Sequence, residues 1–227
     1  DVPRGVMLNQ PPIFLGGQGG MVGPVHMGFG NIVAAGSIVR KNYPGDNHLI
    51  FAVGPARSLQ LSRQAPYSDI VGVVENNILY LANLVALEAW YRDIRKSFLE
   101  THVYGPLLYS GVMEQLASAK KERLKRLKTM AEKAAAQPVR DGEEGQVRTR
   151  QDFFRQMDEI EALFSGKKPE VLADTDQSRD AFLEGFHQSV GNGKTNYIEA
   201  IQGLPAEVSA KGVMWLSVIV DAMSQKV

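Results

Sequence analysis

Cysteine is absent from all 227 residues. That excludes disulfides, thiolate zinc sites and cysteine nucleophiles, and it suits a reducing, cytoplasmic setting. An excess of either charge is missing too, because 25 basic and 25 acidic side chains leave the formal net charge at zero. A balanced chain has no global field with which to hold a polyanion, so no nucleic-acid partner is expected. No run reaches the roughly 18–20 uninterrupted apolar residues needed to span a bilayer. The nearest, Ile78 to Ala89, is interrupted by Asn83 and Glu88. No membrane partner is expected, and Asp1-Val2-Pro3 opens no signal peptide. What is present is a 44% hydrophobic fraction, enough to bury a core.

Glycine is crowded in one region and scarce in another. Eight glycines lie from Gly16 to Gly36, whereas Ile70 to Gln137 holds only Gly72, Gly105 and Gly111. Pro44-Gly45 and Gly54-Pro55 combine turn geometry with helix breaking and act as punctuation. Residues 1–55 are therefore expected to form one unit and residues 56–227 an α-helical one.

In the first unit the signal is a period of six. Leu15, Met21, Met27, Val33 and Val39 are evenly spaced aliphatics, followed in three cases by a small residue, Gly16, Gly28 or Ala34. Helices repeat near 3.6 and plain strands at two. A hexapeptide period belongs to a β-helix, in which aliphatic side chains stack inside a prism and glycines sit at its corners. A glycine-rich loop would not space five aliphatics at one interval. Because at least three stacked repeats are needed for stability, earlier coils from a longer parent chain are expected beneath Leu15.

The residues Phe14-Leu15-Gly16-Gly17, Val22-Gly23-Pro24-Val25, Gly28-Phe29-Gly30, Val33-Ala34-Ala35-Gly36-Ser37 and Gly45-Asp46-Asn47 resemble the closing coils of a known family. It is the bifunctional N-acetylglucosamine-1-phosphate uridylyltransferase/glucosamine-1-phosphate acetyltransferase family. The resemblance covers about Phe14 to Pro55 and implies a left-handed β-helix that forms homotrimers. It also implies acetyl-CoA bound between neighbouring β-helices, partly by backbone. The cofactor positions carried over are Gly17, Ala34, Ala35 and Gly36, with Ala35 matching a contact residue directly. A family serine falls on Gly17 and a family arginine near Val53, so both side-chain contacts are lost. Catalytic residues, and a nucleotidyltransferase domain with its Mg²⁺, would lie upstream. Sugar phosphate and nucleotide would then be ligands of the parent protein.

From Ser68-Asp69, a plausible N-cap, the spacing becomes helical. Val71, Val74, Ile78, Leu81 and Val85 mark one face, and Leu84, Leu87, Tyr91, Ile94 and Phe98 a second, which predicts a central helix. A long helix is predicted over about 106–137 with Met113, Leu116, Leu124, Leu127, Met130 and Ala134 inward. Its Lys120–Lys128 stretch holds six basic residues. They could meet phosphates or an acidic membrane, though a solvated helix face is the commoner meaning. A loop is expected over 137–150. Thr149-Arg150-Gln151-Asp152 has the form of a capping box, followed by Phe153, Met157, Ile160 and Phe164. Further helices are expected from Asp176 or Ser178 and from about Pro205, the last carrying Val208, Trp215, Leu216, Ile219 and Met223. About five helices make a bundle the natural packing.

Candidate chemistry is sparse. Gly191-Asn192-Gly193-Lys194-Thr195 invites comparison with a phosphate loop, but Gln188 stands where that motif needs glycine and a helix precedes it. A glycine turn at a helix end fits better. His26, His48, His102 and His187 share no metal-ligand spacing, and Asp158-Glu159-Glu161 and Asp174/Asp176 suit solvated helix ends. Asn76-Asn77 lies in an apolar helix and requires partners.

The expected class is α+β, with the last coils of a short left-handed β-helix followed by an α-helical bundle. The expected role is the C-terminal part of a sugar-nucleotide transferase of the family above, with no catalytic residue or metal site assigned. The alternative is a non-catalytic β-helix for oligomerisation, carrying a partner-binding helical domain.

Overall fold

A computed structural model describes residues 1–52, 70–137, 144–165, 175–190 and 196–225. Helices take 68% of these residues. The chain divides into two compact units. One comprises the described residues of Asn9–Ala65, and the other Val2–Leu8 with those of Pro66–Val227.

The helical unit is built around α2 (Ile70–Trp90), which continues through a π-helical turn at Tyr91–Arg95 into the short α3 (Lys96–Leu99). Leu81, Ala82, Ala86, Trp90 and Ile94 are at most 1% exposed, as an all-round apolar helix requires at the centre of a bundle. Ile70–Leu99 is also long and apolar enough to cross a membrane by length and composition, its most apolar 18 residues having a mean hydropathy of 1.6. Here α2 packs against α8 (Ala206–Ser224), α4 (Gly105–Ala135) and α5 (Glu144–Ser165), while α6 (Asp176–Val190) packs on α8. The short α7 (Tyr197–Gln202) is capped by Asn196, whose Oδ1 accepts from the Ile198 amide at 2.9 Å.

Most of the inward positions expected from the spacing are buried, but Val71 is 51% exposed and Met113 and Met130 are half-buried. Leu116, Leu124, Leu127 and Ala134 of α4 are buried, as are Phe153, Met157, Ile160 and Phe164 of α5. The capping box at Thr149 is not formed. α5 begins at Glu144, so Thr149 lies inside the helix and its hydroxyl donates back to the Gly145 carbonyl at 3.0 Å. The proposed N-cap at Ser68-Asp69 and the Gly191–Thr195 turn lie outside the described residues.

The chain's first residues join this unit. α1 (Val2–Gly5) packs on α8 and α2, the Val2 amide donates to Asn83 Oδ1 at 2.8 Å, and Met7 is 1% exposed.

The other unit has five strands of two residues each, β1 (Phe14–Leu15), β2 (Gly20–Met21), β3 (Ile32–Val33), β4 (Ile38–Val39) and β5 (Leu49–Ile50). β1-β3-β5 form one parallel sheet and β2-β4 another. Phe14 pairs with Ile32 and Gly20 with Ile38, while Met27 and Tyr43 form an isolated parallel bridge. The expected β-helix is corrected by this arrangement: the described residues are mostly helical, with two small parallel sheets and no solenoid among them. The six-residue period likewise does not put all five aliphatics inside. Met27, Val33 and Val39 are buried beside Ile50, but Leu15 is 57% and Met21 46% exposed. β1 and β2 are bonded on one side only, whereas beside β3 and β4 the segment 50–52 is bonded as well, with Ala34 N–H donating to Ile50 O and Ile38 N–H to Ala52 O.

Candidate functional site

The cofactor positions suggested by resemblance come together at one corner of the sheet unit. Gly16 follows β1 and donates its amide to Val33 O at 2.8 Å, while Gly36 donates to Gly17 O at 2.9 Å. Gly17 is thereby joined to the Ala34–Gly36 turn, which Ser37 closes by donating to Ala34 O at 3.2 Å. Gly17, Ala35 and Gly36 are exposed and Ala34 is half-buried. A Cβ at Gly16 would collide with the backbone of Val33 to Ala35, which accounts for a glycine there. Gly36 faces open space but has φ +73°, where a side chain is strained by backbone geometry. The corner offers peptide N–H and C=O groups and no titratable side chain. It can hold an amide-bearing arm by hydrogen bonds but cannot itself move a proton. Val53, the position near the family's arginine, lies outside the described residues.

Side chains that cross-link successive turns support this corner. Asn31 is fully buried, and its Nδ2 donates to Gly45 O at 2.8 Å while its Oδ1 accepts from the His48 amide at 2.7 Å. Asp46 Oδ1 accepts from the Phe29 amide at 2.8 Å, and Ser37 Oγ from the Ala52 amide at 3.2 Å. Asn31 is not legible as a site residue in the sequence. A lone asparagine carries no periodic signal, and only the parallel pairing brings it against residues 45–48.

In the helical unit the buried amide singled out at Asn76-Asn77 proves structural at Asn77. Its Nδ2 donates to Val73 O at 2.7 Å and its Oδ1 accepts from Arg123 at 3.2 Å, with the Arg123 guanidinium 4.8 Å from the Tyr80 ring centroid. A polar cluster the sequence did not reveal lies at the π-helical turn. Trp90 Nε1 donates to Tyr197 Oη at 2.9 Å, and the Arg95 guanidinium stacks 3.7 Å from the Tyr197 ring centroid. Burial pushes the Tyr197 hydroxyl above its ordinary value of 10.0, against smaller opposing effects of Trp90 and Arg95.

The sign of the pH effect follows. A folded-state value above the unfolded one means the contribution is intact below about pH 10 and is lost as pH rises through the folded value. Urea titrations from neutral to alkaline pH should show stability falling above about pH 10 in the native chain, and less steeply in Tyr197→Phe. The same variant should lose about 1–3 kcal/mol at neutral pH, because the buried Trp90 N–H is left without its acceptor. An identical alkaline limb in both proteins would refute the assignment.

The remaining candidates stay dispersed. His48, His102 and His187 are exposed and His26 is half-buried, and among the described residues no group of three His, Cys, Asp or Glu could hold a metal. Asp158 and Glu161 both pair with Lys128, at 3.7 and 3.1 Å, rather than with each other.

No family model, curated protein or solved structure matches this chain.

Proposed function

We propose that the chain serves a sugar-nucleotide transferase related to the uridylyltransferase/acetyltransferase family. The corner of Gly17 and Ala34–Gly36 receives the amide-bearing arm of acetyl-CoA, and the helical unit is an accessory part. The observation supporting this is the Gly36 N–H···O=C Gly17 bond, which brings Gly17 beside the Ala34–Gly36 turn on a largely exposed surface whose only side chains are the two alanine methyls. No catalytic residue is assigned to the chain, and the proposal concerns binding alone. Calorimetry should detect acetyl-CoA at millimolar concentration or below. Ala35→Glu should abolish the heat, because it places a carboxylate and a larger side chain on the exposed corner without entering a core. Absence of heat from the native chain defeats this reading.

A second reading has its own observation. Phe14, Leu15, Met21 and Val22 are 62%, 57%, 46% and 55% exposed in and just after the edge strands β1 and β2. Apolar edges of this kind favour a non-catalytic part that self-associates or takes a partner strand. Sedimentation velocity separates the two readings: assembly that Leu15→Lys disrupts, without acetyl-CoA binding, supports the second.

A further inference from the structure

α4 and the C-terminal end of α5 enclose a groove of about 490 Å³ in the helical unit, within the size range of small-ligand sites. Lys120, Lys121, Lys125 and Lys128 line it from α4, brought to one side by helical spacing. Glu161 is the one carboxylate among its described lining residues. Two of the lysines are already engaged, Lys120 with Glu88 and Lys128 with Glu161 and Asp158. Lys121 and Lys125 are exposed, one helical turn apart, and neither has a carboxylate at ion-pair distance among the described residues. The groove floor is apolar, formed by Leu124 and Phe164 at 6% and 2% exposure.

A solvated lysine stripe would account for Lys121 and Lys125 taken alone. The carbonyl end of α5, at Ser165, would also draw cations to this side. Neither accounts for a concave surface with an apolar floor and four crowded ammonium groups. Lysine acts as a compact point charge, whereas arginine suits planar, bidentate carboxylates. Lysines without arginine therefore favour a compact, multiply charged anion.

We propose that this groove binds a small phosphate-bearing ligand, a phosphomonoester or diphosphate. Lys121 and Lys125 hold the phosphate, and Leu124 and Phe164 carry the organic part. The inference is independent of the acetyl-CoA corner, which belongs to the other unit.

The test is an amide NMR titration of the full chain with inorganic pyrophosphate at physiological salt. Saturable shifts confined to Lys121, Leu124, Lys125 and Ser165 are expected. The double variant Lys121→Gln/Lys125→Gln should weaken binding at least tenfold while its circular dichroism melt stays unchanged, since both side chains are exposed. Lys211→Gln, which removes an ion pair on α8, should bind as the native chain does. The proposal is overturned by three outcomes: no saturation at millimolar pyrophosphate, undiminished binding by the double variant, or binding seen only with duplex nucleic acid or anionic vesicles.

Discussion

Trp215→Ala is expected to destabilise the helical unit by about 3–5 kcal/mol, the range for deleting a large buried aromatic side chain. Trp215 is 1% exposed and stacks on Phe182 at 5.8 Å and 22°, with Trp90 at 6.4 Å. Trp90 and Phe182 are themselves 5.9 Å apart, so the three rings join α2, α6 and α8 in one cluster. Truncation removes both the transfer energy and the contacts lining the void. Collapse around it is restricted, because Gly212 on the same helix already lies against Met7 and the Phe182 ring. A Cβ at Gly212 would stand 2.6 Å from Met7 Cε and 2.8 Å from Phe182 Cε2. Domains hold roughly 5–15 kcal/mol in all, so the loss is a large share of the total. In urea the midpoint should fall with little change in slope. The variant retains Trp90 as its single indole to report the transition. Met214→Ala, at 63% exposure, is the control and should stay within about 0.5 kcal/mol of the native chain. A loss at Trp215 below about 1 kcal/mol would show that the rings contribute no more than a surface group.

That core was legible because it rests on helical periodicity. Val208, Trp215, Leu216, Ile219 and Met223 recur at the spacing of one face, and all five are buried. Periodicity does not identify partners, however. Nothing in seven residues of α1 and its continuation could show that Met7 would enter this cluster. The Trp90–Tyr197–Arg95 contact joins residues about a hundred positions apart, around a π-helical turn that no simple pattern announces. The start of α5 differs from the expectation because Thr149 and Asp152 have the form of a cap, whereas the Thr149 hydroxyl bonds back to Gly145 O within a helix that begins at Glu144.

The sheet unit was less legible. A six-residue period records which side chains repeat, but not how many turns stack or whether the end turns are covered. Leu15 and Met21 match Val33 and Val39 in type and in register, yet differ from them in burial because the segment 50–52 bonds beside Val33 and Val39 and not beside Leu15 and Met21. The proposed cofactor corner was reached by resemblance alone, since backbone groups at Gly17 and Ala34–Gly36 leave no chemical signature in a sequence. The lysine groove lay between these extremes. Its basic run was plain from Lys120 to Lys128, while the concavity that distinguishes a site from a solvated face depends on where α5 ends.

The other large effect is expected at Asn31. The apolar core of the sheet unit is small, with Met27, Val33, Val39 and Ile50 buried, so hydrogen bonds between turns carry an unusual share of its order. Asn31→Ala removes the acceptor of the His48 amide and the donor to Gly45 O, in a position with no exposure. Each buried group left unpaired costs about 1–3 kcal/mol, so a total of at least about 2 kcal/mol is expected. That corresponds to roughly a thirtyfold change in the local opening equilibrium, at about 1.4 kcal/mol per factor of ten. Hydrogen exchange should therefore lose about thirtyfold protection at the amides of Ile32 and Ala34, which bond to His48 O and Ile50 O. Amides of α8, in the other unit, should be unaffected. Asn31→Asp separates the two halves of the argument. Its carboxylate can still accept from His48, but it turns an acceptor toward the Gly45 carbonyl, so it too should lose protection. If instead the aspartate variant matched the native chain, the Nδ2 bond would be dispensable and the His48 contact alone would hold the turn.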